Sequence, residues 1–206
     1  NPKTFVQAIT TKEFLQLLDL LNDEDDCDTI TKILFSKLKK NDIETTFIAI
    51  TSSSHKILKS LIRQGLINEK KCIFLDSYLS FENDKNVKLI TEEGKYILFG
   101  DVLSGGSIVK RLDKFLKDKK SLLEKVAVIV NSIDEDYNNS KEFYELYRDK
   151  IIFAYKHPIR KYLRKDIDDE SLKNVIRINP YTNLPNVFSE QNTLKDMIRK
   201  TIFAVS

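Results

Sequence analysis

The stretch that decides the fold is Lys95-Tyr96-Ile97-Leu98-Phe99-Gly100-Asp101-Val102-Leu103-Ser104-Gly105-Gly106-Ser107-Ile108-Val109. Residues 96–99 are apolar without alternation, the pattern of a strand buried on both faces. After them the chain turns to glycine and serine, then back to apolar residues at helical spacing over 108–115. The chain has five glycines, and three of them fall between positions 100 and 106. Glycine there permits a tight turn and a close approach of backbone to a ligand. A strand-to-helix turn also gathers the free N–H groups and the positive dipole end of the helix, which suits a phosphate. Ser104 and Ser107 add hydroxyl donors, and Asp101 is expected at the strand tip, where its carboxylate would accept sugar hydroxyls. The plain alternative is an ordinary turn that Asp101 caps. It is not a Walker A loop, since no Gly-Lys-Ser/Thr follows, and it lacks the G-x-G-x-x-G dinucleotide spacing.

The same strand-then-helix pattern extends in both directions. Upstream, Thr46-Phe47-Ile48-Ala49-Ile50 reads as a strand, Thr51-Ser52-Ser53-Ser54 as a polar loop or cap, and Ile57, Leu58, Leu61 and Ile62 as a helix stopping at Gly65. Residues 72–75 form another strand, and the polar stretch 81–94 holds a short one at Val87-Lys88-Leu89-Ile90. Downstream, strands are predicted at 126–130 and 151–155 with a helix at 141–148 between them. A late strand at 175–178 precedes a turn-rich cover, 179–186, and a helix-like segment, 193–202. At the other end, Thr10 with Glu13 fits a capping box for a first helix, and a second runs from about 28 to 39. The expectation is an α/β fold: one domain with a mostly parallel, doubly wound sheet of about five strands and N-terminal helices. Residues 1–42 form the helical segment, 43–156 the α/β core and 157–206 the cover. Ligands then belong at the carboxyl ends of the strands.

Composition narrows the function. At 206 residues the chain suits one domain, and 41% apolar with 32% charged residues fits a globular cytoplasmic protein. The net charge of +3, from 34 basic and 31 acidic residues, argues against a nucleic-acid binder. The basic run Lys156, His157, Arg160, Lys161, Arg164 and Lys165 is offset at once by Asp166, Asp168, Asp169 and Glu170, and reads as a solvated segment. Cys27 and Cys72 make no disulfide framework, and two distant histidines with no cysteine cluster argue against a structural zinc site. No signal peptide or membrane span is legible. The first residue is Asn1 rather than Met, which leaves open a piece of a longer protein.

Residues 96–107 resemble the phosphoribosyl pyrophosphate (PRPP) signature of type I phosphoribosyltransferases: four apolar strand residues, two acidic ones, two apolar ones, then a Thr/Ser/Gly loop entering a helix. Asp101-Val102-Leu103-Ser104-Gly105-Gly106-Ser107 matches without a gap, and the resemblance spans about residues 43–155. It implies that Ser104, Gly105, Gly106 and Ser107 bind the ribose 5-phosphate, and that Asp101 holds the ribose and ligates Mg²⁺. It places Ser52, Ser53, Ser54 and His55 in the pyrophosphate loop, and residues 77–94 at the mobile catalytic loop. Asp101 and Lys56 become the catalytic pair, with Lys56 stabilising the pyrophosphate that leaves C1 as an oxocarbenium-like state forms. Tyr155 or Phe153 would stack on the acceptor base, Tyr155 as a core or hinge residue being the alternative. The chain departs from the signature at Gly100, where the first acidic residue is expected. It also lacks the usual glycine in 52–56 and has a short mobile loop, with Lys85 and Lys88 as its cations. One carboxylate lost weakens a Mg²⁺ site without forbidding it.

Two further residues have chemistry. His55 after three serines is either half of a nucleophile pair or part of a helix cap, and no G-x-S-x-G elbow supports the former. Asp76, after strand 72–75, is either a turn residue or a second carboxylate at the same sheet edge. The leading expectation is a phosphoribosyltransferase-like domain binding PRPP or a ribose-phosphate nucleotide, with transfer to a base as its activity. The alternative is an inactive sensor or protein-interaction module of the same fold, favoured by Gly100 and acting as a homodimer or with a partner protein. An unrelated doubly wound nucleotide-binding domain is the third reading, against which the 77–94 excursion argues.

Overall fold

The structure, a computed structural model, describes residues 7–8, 11–76, 81–133 and 138–157. Its elements are β1 (Gln7–Ala8), α1 (Thr11–Leu20), α2 (Glu24–Phe35), α3 (Lys40–Ile43), β2 (Thr46–Ala49), α4 (Ser52–Arg63), β3 (Cys72–Phe74), β4 (Lys95–Leu103), α5 (Ser107–Asp118), β5 (Leu122–Asn131), α6 (Asn138–Tyr147) and β6 (Ile151–Lys156). All six strands are parallel, in the order β1-β6-β5-β4-β2-β3.

The apolar strands follow from burial on both faces. Ile97 and Phe99 of β4, with Ala127 and Ile129 of β5, pack under α1, α2 and α4. Their neighbours Tyr96, Leu98, Val126 and Val128 face the opposite side, with Val109, Leu112 and Phe143 from α5 and α6. Neither parity can be polar, so alternation disappears. The helix α4 places Ile57, Leu58 and Leu61 inward. It ends where Gly65 takes φ 70°, with Gly65 N–H donating to Ile62 O and Leu66 N–H to Leu61 O. That is the paired closure a left-handed glycine permits.

Several expectations change. Val87-Lys88-Leu89-Ile90 is not a strand: Lys85–Leu89 is a 3₁₀ helix, begun by Asp84, whose carboxylate accepts from Asn86 N–H. Val87 and Ile90 pack on the core three residues apart, the repeat of that helix. Helix α2 starts at Glu24 rather than near 28, because Asp23 caps it by accepting from Asp26 N–H at 3.0 Å. Strand β4 runs on past Gly100 and Asp101 because β5 keeps pairing with it as far as Leu103↔Asn131. Asp101 therefore lies inside the strand, not at its tip. A sixth strand, β1, pairs Gln7 with Tyr155 and Ala8 with Lys156. The predicted strand at 175–178, the cover at 179–186, the helix-like 193–202 and the acidic stretch after 165 lie outside the described residues. Among the described residues no helix is long and apolar enough to cross a membrane.

What positions a site is the reversal in strand order. From β2 the chain steps outward to β3, then returns to lay β4 on the other side of β2 and continues outward through β5 and β6. The turns after β2 and β4 thus leave the sheet side by side and in opposite directions, opening a crevice at their carboxyl ends.

Candidate functional site

That crevice holds a cleft of about 180 Å³. Ile50, Thr51 and Ser54 line it from the β2 side, residues 98–109 from the β4 side, and Val126 and Val128 from β5. Two helices therefore start at its rim, and they start differently.

Helix α5 opens without a side-chain cap. Its N-cap is Gly106, at φ 71° and ψ 7°, which makes no side-chain cap bond to the first-turn N–H groups. Lys110 N–H to Gly106 O, at 3.0 Å, is the first bond of the helix ladder. Ser104, Gly105 and Ser107 are exposed around this turn. Glycine is required at 106 for two reasons. The φ is left-handed, and a Cβ would lie within 2.7 Å of three carbons of the Phe143 ring. At Gly105, by contrast, a Cβ would meet nothing within 4 Å.

Phe143, 1% exposed, belongs to α6 and stacks on Tyr147 at 4.7 Å. Tyr147 donates its hydroxyl to Asp113 Oδ2 of α5 at 2.7 Å, and Lys117 Nζ donates to the same oxygen at 2.7 Å. Burial pushes the Asp113 carboxyl upward, yet the bonds from Lys117 and Tyr147 outweigh it and hold it below its ordinary value. Burial, and then the bond to that carboxylate, raise the Tyr147 phenol. The loop at 104–106 is thus roofed by a helix that is itself anchored to α5.

Asp101 lines the cleft at 5% exposure, its Oδ1 accepting Val102 N–H at 2.8 Å. Beside it, a Cβ at Gly100 would sit 3.3 Å from Val128 Cγ1, so a side chain there needs Val128 to give.

Helix α4 closes its own end. Thr51 is the N-cap: its Oγ1 accepts from Ser54 N–H at 3.2 Å and shares hydrogen bonds with the Ser53 and Ser54 hydroxyls at 3.1 and 2.7 Å. The expected pyrophosphate loop, Ser52, Ser53, Ser54 and His55, is consequently the first turn of a helix. His55 turns its ring away, donating from Nε2 to Leu75 O at 2.9 Å, edge-on to Phe74, with Nδ1 4.0 Å from Asp76 Oδ1. Lys56 Nζ donates to Asn22 Oδ1 at 3.0 Å, beyond the end of α1. Tyr155 is 3% exposed inside the core under α1, α2 and α4.

The cleft therefore gathers Gly100, Asp101, Ser104, Gly105, Gly106, Ser107 and Ser54. It does not gather Ser52, Ser53, His55, Lys56 or Tyr155. The helix ladder, the Leu75 carbonyl, Asn22 and the core explain their positions. The cap reading of residues 51–54 holds, with Thr51 as the N-cap, whereas the role of Phe143 is not part of any sequence pattern. A threonine between an apolar strand and three serines is a readable cap signal; the ring over Gly106 leaves no trace in local sequence. Among the described residues no three His, Cys, Asp or Glu side chains come together as a metal site.

No protein-family model matches the chain, and no curated protein matches it. Similar solved structures exist. Orotate phosphoribosyltransferase from Aeropyrum pernix aligns at TM-score 0.48 and 11% identity, covering 71% of this chain and 78% of its own. Adenine phosphoribosyltransferase from Thermoanaerobacter pseudethanolicus gives TM-score 0.48 and 12% identity, over 68% of this chain and 85% of its own. Hypoxanthine phosphoribosyltransferase from Staphylococcus aureus gives 0.44 and 16%, over 66% and 76%. With TM-scores below 0.5, these likenesses carry no weight for what this chain binds.

Proposed function

We propose that the chain is a phosphoribosyltransferase-like domain that binds a ligand bearing a ribose 5-phosphate in the crevice between β2 and β4. One observation carries this reading: the loop into α5 places Gly106 at the N-cap with no side-chain cap, so its first-turn N–H groups face a cleft also lined by Ser104, Ser107 and Asp101. A phosphate there takes backbone donors, two hydroxyls and the positive dipole end. Asp101 then accepts hydroxyls of the ribose.

Transfer of phosphoribosyl from PRPP to a base asks for more. Mg²⁺ would have to be held by carboxylates, water and phosphate oxygens. Among the described residues Asp101 is the one carboxylate lining the cleft, buried and with one oxygen on Val102 N–H. Such a donor set does not fit a resident divalent ion, and no step is routed through one. Gly100 for a carboxylate supports the second reading, a domain that binds its ligand as a sensor or interaction module without turnover.

The test is calorimetric titration of ribose 5-phosphate into the wild type and Gly105→Asp. A Cβ at Gly105 meets nothing within 4 Å, so the new side chain starts in open space beside the site. Binding by the wild type, weakened at least about tenfold by the added carboxylate, is the expected result. A wild type that binds no ribose phosphate ends the reading.

A further inference from the structure

We infer that the amino ends of the strands carry a docking groove for an acidic peptide segment of a partner protein. It lies at the opposite end of the sheet from the cleft, and the inference does not depend on the ribose-phosphate reading.

The groove has a volume of about 870 Å³ and takes in Thr46, Lys95, Lys125 and Lys150, near the first residues of β2, β4, β5 and β6. Because every strand of a parallel sheet starts at the same end, an occupant here leaves the crevice at the carboxyl ends open.

The charges of the groove do not cancel. Lys125 Nζ donates to Asp149 O at 3.2 Å, and Lys150 Nζ to Leu123 O at 2.7 Å. Lys71 Nζ reaches the rim, where it donates to Glu44 O at 3.3 Å. A carbonyl fixes an ammonium in place without neutralising it, so these lysines keep their charge. Lys39 and Lys95 add two more cations. Against these five stand three lining carboxylates, Asp42, Glu44 and Glu124. Asp42 is turned inward, 6% exposed, onto Lys39 N–H at 2.8 Å, and Glu124 lies 3.3 Å from Lys95 Nζ. Asp149 has its own carboxylate 4.0 Å from Arg148 Nε. The face offered to a partner is therefore positive, and two of its cations are already held. Ordering Lys125 and Lys150 on binding costs correspondingly less side-chain entropy.

An apolar foothold lies among these charges. Leu122 lines the groove at 44% exposure, one of three large apolar side chains so exposed among the described residues. Cations around an aliphatic contact match a peptide with acidic and aliphatic residues: complementary charge steers and orients it, while the apolar contact excludes water. A nucleic-acid backbone would satisfy the lysines and leave Leu122 without an aliphatic partner.

The experiment is fluorescence anisotropy on the whole chain with three labelled probes: a short peptide of Glu and Leu, its Gln-for-Glu counterpart and a short thymidine oligonucleotide. The expected result is that the Glu peptide binds at least about tenfold tighter than the Gln peptide and loses affinity as salt is added. Lys39→Glu with Lys95→Glu, both exposed positions, should weaken it by about fivefold or more, and Leu122→Ser by about threefold; circular dichroism checks that both variants fold. A Glu peptide that binds no tighter than its Gln counterpart, or binding unchanged in both folded variants, overturns the inference. Tighter binding of the oligonucleotide than of the Glu peptide also overturns it and assigns the groove to nucleic acid.

Discussion

The two faces of the sheet are held by different chemistry. On one, α2 and α4 share a polar seam: Thr31 and Ser60 hydroxyls meet at 2.7 Å, Ser60 donates to Asp28 Oδ1 at 2.6 Å, and Gln64 Nε2 donates to Thr31 Oγ1 at 3.1 Å. Arg63 closes the seam on Asp28. On the other, α6 meets α5 through a stacked aromatic pair, one carboxylate and a ring laid against bare glycine backbone. Directional bonds fix the register of two helices whatever small shifts the side chains make, and the members of such a network reinforce one another. Shape fixes the second face, and close packing responds to the loss of even one group. The loop that presents the candidate phosphate site lies on the face held by shape.

Breaking that shape should have the largest effect. Phe143→Ala removes a fully buried ring and should cost about 3–5 kcal/mol in urea unfolding. Gly106→Ala should also destabilise, by left-handed strain and by collision with the ring. In the double variant the two losses should be less than additive, because removing the ring removes the collision. Strict additivity would show that Phe143 does not shape this turn.

The next effect sharpens the opposite face. His157 is fully buried and stacks on Phe14 of α1 at 4.7 Å, and burial lowers its pKa from 6.5 to about 4. The unfolded chain then binds a proton in a range where the folded chain does not. Stability should be complete above pH 6.5 and fall by about 3 kcal/mol as the pH drops toward 4. Denaturant unfolding at successive pH values measures this, and His157→Phe should flatten that window. An equally steep loss in the variant would assign it to other groups.

Ser60→Ala should have the smallest effect of the three. It strips a shared partner from Asp28 and Thr31 at the polar seam and should cost about 1–2 kcal/mol in the same assay. A loss as large as that of Phe143→Ala would reverse the contrast between the faces.

The sequence made the sheet legible because burial on both faces leaves unbroken apolar runs, as at Val126 to Val130. Strands β2 through β6 all carry such a run. What it hid were features set by partners distant in the chain. Two residues, Gln7 and Ala8, are too few to show a period, and only β6 makes them a strand. Gly100-Asp101 has the composition of a turn, yet pairing with β5 keeps it extended. At 87–90 a short apolar run fits strand and 3₁₀ spacing alike, and the Asp84 cap decides between them. For the site, the glycine-serine turn was readable because only a few residue types form it. The diversion of Lys56 to Asn22 and of His55 to Leu75 O was not, since both partners are at least 20 residues away.

The sheet also tapers. Strands of nine and ten residues, β4 and β5, lie inside it, while among the described residues its edges are β1 with two residues and β3 with three. An edge offers another chain its unpaired N–H and C=O groups, and very short edges blunt that invitation. Among the described residues, a second copy adding itself strand to strand would find at most three residues of ladder to extend. Along these edges, the described residues leave recognition between copies to side chains, which a few surface substitutions can retune, rather than to the backbone that every chain shares.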